Sequence, residues 1–432
     1  MLLGETVQDI ANSIVEKESV TEEENRTSSN IFELGINILR VHNDLHQDIM
    51  RLVNDPILIL EGDAGVGKSH LMADTVQRRQ KENLFSLFFL GQKFVTDEEP
   101  FTQIMRMLSF SSSSEELLET LEAKAESTGH RIIIFIDAIN EGHGLAIWQS
   151  NIRSFIDKIR QHPWLGLVLS IRTSYQPAIL PWEEFGNDYC VWARHYGFGA
   201  NTQKAVQLYF KEYGILYPSV PLLNPEFKNP LFLHLFCEGM KNNGYKKIPD
   251  GVKGITSIMN LFFDGIEKSL RKAKHYSPSI KCVDKTVHKY IEFTAKEGRH
   301  EMPIDTAIEI FSDIYPRVFT EGELLDCLIS EGVFSKNVFY NTVDKYEECI
   351  YFTYERFENF LQAEYLIDKL QFDDKALEEY VLTIKSPYIV GGLLESLAIL
   401  LPERKGIELY DSLPNFHSNK AVSYTHLTLP TT

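Results

Sequence analysis

Apolar residues follow two rhythms along this chain. From about residue 45 to 199, short unbroken apolar runs alternate with stretches of helical spacing. The runs are ILIL at 57–60, SLFFL at 86–90, RIIIFID at 131–137 and LGLVLSI at 165–171. Runs of this length that are apolar throughout predict strands buried on both faces. Between them, Ser113 and Glu116 have the spacing of a capping box ahead of Leu117, Leu118, Leu121 and Ala125. Trp148, Ile152, Phe155, Ile156 and Ile159 mark one face of a further helix. Leu45, Ile49, Leu52 and Val53 mark an earlier one, and Asn54-Asp55-Pro56 then breaks the chain before the first strand. A helix is expected from Lys68. Apolar strands separated by helices imply a parallel sheet with helices on both faces, an α/β fold.

Beyond about residue 200 the rhythm turns helical, as in KAVQLYFKEYGI, NPLFLHLFCEGM and SIMNLFFDGIEKSL. From 278 to 370 the pattern predicts helices, then LISEGVF, a polar stretch, ECIYFTY as a short strand, and a last helix. That order suits a winged helix, though periodicity alone does not establish it. Residues 376–412 suit the start of a helical array. Residues 1 to about 35 carry the polar stretch EKESVTEEENRTSSN and are expected to be weakly ordered.

Composition narrows the class. The 432 residues suit about three domains. An apolar content of 44% supports real cores, and 24% charged residues fit a globular protein. There is no apolar run of about 18 residues, so no membrane span is expected. The opening segment lacks the basic start of a secretory signal. Cys190, Cys237, Cys282, Cys327 and Cys349 are scattered, with no metal-ligand spacing, which favours a reduced, cytoplasmic setting. A formal charge of −18 argues against nonspecific nucleic-acid binding.

The chemistry concentrates in Gly62-Asp63-Ala64-Gly65-Val66-Gly67-Lys68-Ser69, a GxxxxGK[ST] sequence between a strand and a helix. Backbone N–H groups of such a loop curl around phosphates, helped by the helix N-terminus. Lys68 would reach the β- and γ-phosphates and Ser69 would ligate Mg²⁺. Asp137 ends the strand IIIFI, where a magnesium-holding aspartate belongs. Glu141 is read as general base for the attacking water, or else as a solvated loop carboxylate. Asn140 would help to orient that water or the metal shell. Arg172 follows LVLSI at the carboxyl edge of the sheet, and there it would sense the γ-phosphate; a plain surface arginine is the alternative. Asn229-Pro230 opens a helix, which is good helix chemistry in itself. His70, His143 and His195 pair with no nucleophile or metal set and read as structural. His70, directly after the loop, is also counted among the nucleotide-binding residues.

GDAGVGKSHL, FIDAINEG, LSIRTSY, Gly197-Phe198 through PEFKNPLFLHLFCEG, and YFTYERFENFLQAEYL, in that order, resemble bacterial antiviral STAND NTPases. These are the Avs-type relatives of NACHT and NLR immune proteins. The resemblance runs from about 45 to 412. It implies a P-loop NTPase (NACHT-like) domain at 41–199, a helical domain at 200–277 and a winged-helix domain at 278–370, which together clamp a nucleotide. Residues 1–40 would be a linker, and 371–421 the start of a C-terminal sensor region. The resemblance also gives Arg172 the sensor role and places Pro230 against the adenine. Tyr354 stands where many relatives carry a phosphate-contacting histidine, and Asn140 replaces the first acid of the usual pair, while Glu141 keeps the second. Residues 422–432, VSYTHLTLPTT, look like a translated sequencing adapter, so the native chain is expected to continue past about 421.

The function so implied is an ATP/ADP- and Mg²⁺-dependent switch in antiphage defence. It would form a homo-oligomer when a phage protein binds the C-terminal region, with no membrane or direct nucleic-acid contact. An AAA-like motor remodelling protein or nucleic acid, and a scaffold that binds nucleotide without hydrolysing it, are the rival readings.

Overall fold

The computed structural model describes residues 48–409, apart from 142–143, 219–224, 250–253, 315–316, 342–344, 370–376, 378 and 382–386. The expectations for residues 1–40, His143 and 422–432 therefore lie outside the described residues.

Five parallel strands form the first sheet. In chain order the main elements are β1 (Ile57–Gly62), α1 (Lys68–Lys81), β2 (Ser86–Leu90), α2 (Pro100–Met107), α3 (Ser114–Thr128), β3 (Ile132–Asp137), α4 (Gly144–Arg160), β4 (Leu165–Arg172) and β5 (Val191–Arg194), with two four-residue helices, Gln176–Ile179 and Trp182–Phe185, between β4 and β5. The strands lie side by side as β2-β3-β4-β1-β5. Alternate residues of the strands feed opposite faces. Ile57, Ile59, Ile132, Ile134, Leu167 and Leu169 pack under α2, α3 and α4, with Trp148 and Phe155 of α4 fully buried there. Leu60 and Phe135 point to the other face, where Met72 of α1 covers them. Ser113 caps α3, its hydroxyl accepting from the Glu116 amide at 3.2 Å. Asp55 and Arg160 pair at 3.0 Å, and the same guanidinium donates to the Tyr189 carbonyl at 2.6 Å, tying the start of β1 to the end of α4.

Two local expectations change. The helix before β1 ends at Arg51, and Val53 is 56% exposed, because the Asn54-Asp55-Pro56 turn intervenes before another helical turn can bury it. Strand β5, which periodicity passes over, is short and only half-buried along most of its length, so its sequence carries no unbroken apolar run.

The rest of the described chain holds α5 (Thr202–Tyr213), α6 (Pro230–Asn242), α7 (Gly254–Lys274), α8 (Cys282–Glu297), β6 (Glu301–Pro303), α9 (Ile304–Ser312), α10 (Glu323–Ser330), β7 (Phe334–Asn341), β8 (Lys345–Phe352), α11 (Glu355–Lys369) and α12 (Pro387–Lys405). A small antiparallel sheet runs β6-β8-β7. The stretch read as polar after LISEGVF is strand β7, paired along its whole length with β8. Pairing in a hairpin, rather than apolar content, makes it a strand. One continuous apolar cluster runs from Ala205 to Leu361, so the 200–277 and 278–370 stretches share a core. A separate cluster joins α11 to α12 through Phe360, Leu366, Leu393 and Leu397. Among the described residues no helix is long and apolar enough to cross a membrane.

Candidate functional site: a phosphate loop at a three-way seam

Strand β1 ends at Gly62, and the chain turns through Asp63–Gly67 into α1. Gly65 and Gly67 hold φ of 75° and 102°, values that L side chains resist. A Cβ on Gly65 would come within 2.8 Å of the Leu231 side chain, so the loop is packed closely from the α6 side. Lys68, the first residue of α1, is buried, and its ammonium donates to the carbonyls of Gly62 at 2.6 Å and Asp63 at 2.9 Å. Burial, with the Arg172 charge nearby, brings its pKa down to about 8. Ser69 and His70 are exposed at the start of the same helix.

Asp137 is buried at the carboxyl end of β3. Its Oδ1 accepts the Ser170 hydroxyl of β4 at 2.5 Å, and Ser170 Oγ in turn accepts the Ala138 amide at 2.7 Å. Ser170 thus fixes both the carboxylate and the backbone after it. Ala138 sits at φ 54°, and its carbonyl would lie 2.0 Å from a Cβ on Gly91; only glycine after β2 allows that approach.

Arg172 closes β4 in register with Gly62, which brings it to the same sheet edge as the loop. Its amide donates to Asn140 Oδ1 at 3.1 Å, so Asn140 ties the loop after β3 to the end of β4. The guanidinium pairs with Glu141 at 3.1 Å and with Glu355 of α11 at 3.5 Å. Burial opposes its charge, but Glu355 and Glu141 outweigh that cost and raise its pKa. The alternative of a plain surface arginine does not describe this side chain, which is 23% exposed and holds two carboxylates.

The helix start at Asn229-Pro230 docks on the loop. Asn229 uses both ends of its amide. Oδ1 caps α6 by accepting from Leu231 and Phe232 amides at 3.0 and 3.2 Å, while Nδ2 donates to the Ala64 carbonyl at 2.9 Å. The Leu231 amide reaches the Gly65 carbonyl at 3.3 Å, and Pro230 Cγ lies 3.9 Å from where a Gly67 Cβ would sit. Tyr354 is buried, its hydroxyl donating to Glu226 Oε2 at 3.4 Å, and Arg356 pairs with Glu226 at 3.2 Å. Burial, reinforced by Glu226, pushes the Tyr354 phenol pKa upward. Val66 is buried, while Asp63 is exposed and faces Arg194 at 3.8 Å.

The structure therefore gathers Gly62–Ser69, Asp137, Glu141, Arg172, Pro230 and Tyr354 around one seam. His195 also lies there: its carbonyl would be 2.7 Å from a Gly62 Cβ, its Nδ1 accepts the Gly197 amide at 3.0 Å, and burial, with Lys68 nearby, lowers its pKa. Sequence reasoning missed Ser170, Gly91, Asn229 and Glu355. Asn229 carried a signal as a helix cap before proline; Glu355 carried none, since an acid in a first helical turn is ordinary. Hydroxyl and carboxylate oxygens at Ser69 and Asp137 are the hard donors that Mg²⁺ takes, and glycines at positive φ supply a phosphate cradle, so the residues fit both groups.

No protein-family model matches the chain, and no curated protein matches it. Solved structures with detectable likeness include the ORC1 protein of Aeropyrum pernix in complex with DNA, at 12% identity, covering 76% of this chain and 94% of that one, with a TM-score of 0.31. Cdc6p from Pyrobaculum aerophilum gives 12% identity, 83% and 98% coverage and a TM-score of 0.31. A RuvB mutant from Thermogota maritima gives 10%, 69%, 89% and 0.29. At such identity and TM-score these resemblances assign the chain to no family.

Proposed function

We propose that this chain is an ATP-binding and ATP-hydrolysing switch of the STAND type, acting in bacterial antiphage defence. The observation that carries the reading is the clamp on the phosphate loop. Asn229 of the helical stretch holds the Ala64 carbonyl, and Tyr354 with the first two residues of α11 reaches both Arg172 and Glu226. In this reading 200–277 is the helical domain and 278–370 the winged helix, a reading supported by the order helix, strand, two helices and hairpin. Closure would be released when a phage protein engages the C-terminal region, and the opened chains would form a homo-oligomer. The free state of all five cysteines supports a cytoplasmic setting.

Ser69 and Asp137 would hold Mg²⁺, which offsets the phosphate charge. Lys68 would leave the loop carbonyls to donate to phosphate oxygens. Arg172 would stabilise charge on the transferring group, and Glu141, once released from Arg172, would take the proton of the attacking water. Pro230 would lie against the base. Specificity for adenine rests on the resemblance in sequence.

The test is to purify the chain, denature it and identify the nucleotide released. Near-stoichiometric ADP or ATP is expected, and Lys68→Ala should abolish it. Nucleotide retained at wild-type level by Lys68→Ala overturns the reading. Fast turnover stimulated by a polymer would favour a motor instead.

A further inference from the structure

Away from the phosphate loop, the helical stretch presents a surface of a different character. We propose that the exposed tyrosines and lysines at the C-terminal ends of α5 and α6 bind single-stranded nucleic acid.

The formal charge of −18 belongs to the whole chain and not to each of its faces. Helix α5 ends at Tyr213 and α6 at Asn242, and the turns that follow them are joined: the Leu216 amide donates to the Lys246 carbonyl at 2.7 Å. The second turn pivots on Gly244 at φ 75°, and the Tyr245 amide returns to the Met240 carbonyl at 2.9 Å. Tyr217 is tied back to the start of α5, its hydroxyl donating to Gln203 Oε1 at 2.5 Å. These turns leave Leu216, Tyr217 and Tyr245 64%, 38% and 41% exposed.

Lysines surround the rings. Lys246 and Lys247 follow Tyr245 directly and are exposed. Lys268 of α7 holds its ammonium 5.5 Å from the centre of the Tyr245 ring and donates to Asn243 Oδ1 at 2.5 Å. The Lys241 ammonium lies 5.6 Å from the centre of the Tyr213 ring. Elsewhere Lys158, Lys274, Lys289 and Lys296 each pair with a carboxylate. Among the described residues, Lys241, Lys246, Lys247 and Lys268 do not. Of the acids on these three helices, Glu238 accepts the Tyr213 hydroxyl at 2.9 Å, Glu267 is buried, and Glu212 and Asp264 are exposed. Cations prevail on this surface.

Single-stranded nucleic acid uses both components. Its phosphates take the lysine charge, and its unpaired bases offer flat faces that stack on tyrosine rings. A duplex keeps its bases stacked on one another and would use the lysines alone. An acidic protein segment would also leave the rings without a partner. The surface is separate from the phosphate loop, since α6 meets the loop at its first turn and carries these groups at its other end, about 20 Å away.

The experiment measures fluorescence anisotropy of labelled single-stranded oligo(dT) and oligo(U), about 20 nucleotides long so that they exceed one binding site, with the whole chain. A DNA duplex and polyglutamate are the comparators. At least one single strand should bind at low salt, more tightly than either comparator, and its affinity should fall as salt rises. Tyr245→Ala should weaken that binding by about 5-fold or more, whereas Tyr245→Phe keeps the ring and should stay within about 2-fold of wild type. Lys246→Glu combined with Lys247→Glu should weaken it by about 10-fold or more and flatten the salt dependence. Thermal unfolding checks that each variant folds, and Tyr217→Ala replaces Tyr245→Ala if that one does not. A chain that binds neither single strand at low salt, or whose binding is unmoved by the alanine or the double variant, overturns the proposal. Duplex or polyglutamate bound as tightly as the single strand also overturns it, and would make the surface a contact for duplex or for an acidic protein.

Discussion

The sheet half and the helical half of this protein are built from different materials. Under α2, α3 and α4 the core is chiefly aliphatic, with Ile57, Ile59, Ile132, Ile134, Leu167 and Leu169 stacked along parallel strands. On the other side of the seam it is a mosaic of rings: Phe227, Phe232, Phe236, Phe262, Tyr354 and Phe357 pack with centroids 4.9–6.3 Å apart. Strand register fixes the first core, and ring-on-ring packing the second. Between them the contacts around the phosphate loop are largely polar: Asn229 on Ala64, Leu231 on Gly65 and Glu355 on Arg172. Apolar cores hold each half together, while hydrogen bonds and ion pairs join the halves around the loop. In the proposed reading, a nucleotide bound at that seam would control whether the halves stay together.

Three further changes would break or sharpen this contrast. The largest effect is expected from Phe232→Ala, which empties a fully buried ring site on the helical side of the seam and should cost about 3–5 kcal/mol. Calorimetry should show a lowered transition for the helical half beside an unshifted one for the sheet. A single transition that moves as a whole would show that the halves unfold as one. On the sheet side, Gly91→Ala drives a Cβ into the Ala138 carbonyl and should cost about 1–3 kcal/mol, read by denaturant midpoint. It should also weaken Mg²⁺-dependent nucleotide binding, because the backbone after Asp137 must move.

At the seam itself, Asn229→Ala loses a helix cap and should cost about 1 kcal/mol of stability, with a fall in nucleotide affinity beyond that. Asn229→Ser keeps a capping oxygen and removes the amide donor to Ala64. It should recover the stability and not the affinity. If both recover together, the Ala64 contact does not organise the loop.

The smallest effect is in pH. Lys68 has a folded pKa of about 8, below its ordinary value of 10.5. Between those values the unfolded chain binds more protons than the folded one, so this group makes the ligand-free fold more stable as pH rises. Phosphate favours the charged lysine, so nucleotide binding should take up a proton and weaken as pH rises above about 8. Titrating affinity from pH 7 to 9.5 checks this, and Lys68→Arg should flatten the profile.

The sheet was legible in the sequence because strands buried on both faces must be apolar throughout, and four of the five announced themselves in that way. Strand β7 was not legible. It is a strand because β8 pairs with it, and pairing leaves no mark in the composition of one segment. The phosphate loop was legible for a different reason. Glycine at Gly65 and Gly67 is needed for backbone at positive φ, so local geometry dictates residue type at fixed spacing. The places of Asp137 and Arg172 at strand ends were legible, and the structure seats both at the sheet edge that carries the loop.

What only the tertiary structure decided is who meets these residues. Ser170 reaches Asp137 because β4 lies beside β3, and Asn140 meets Arg172 across the same pair of strands. Glu355 and Asn229 come to the loop from far along the chain, as ordinary a glutamate and an asparagine as any helix start carries. Chain order encodes backbone conformation locally, whereas the partner of a charged or hydrogen-bonding side chain is set by packing between segments, and that information is spread over both cores.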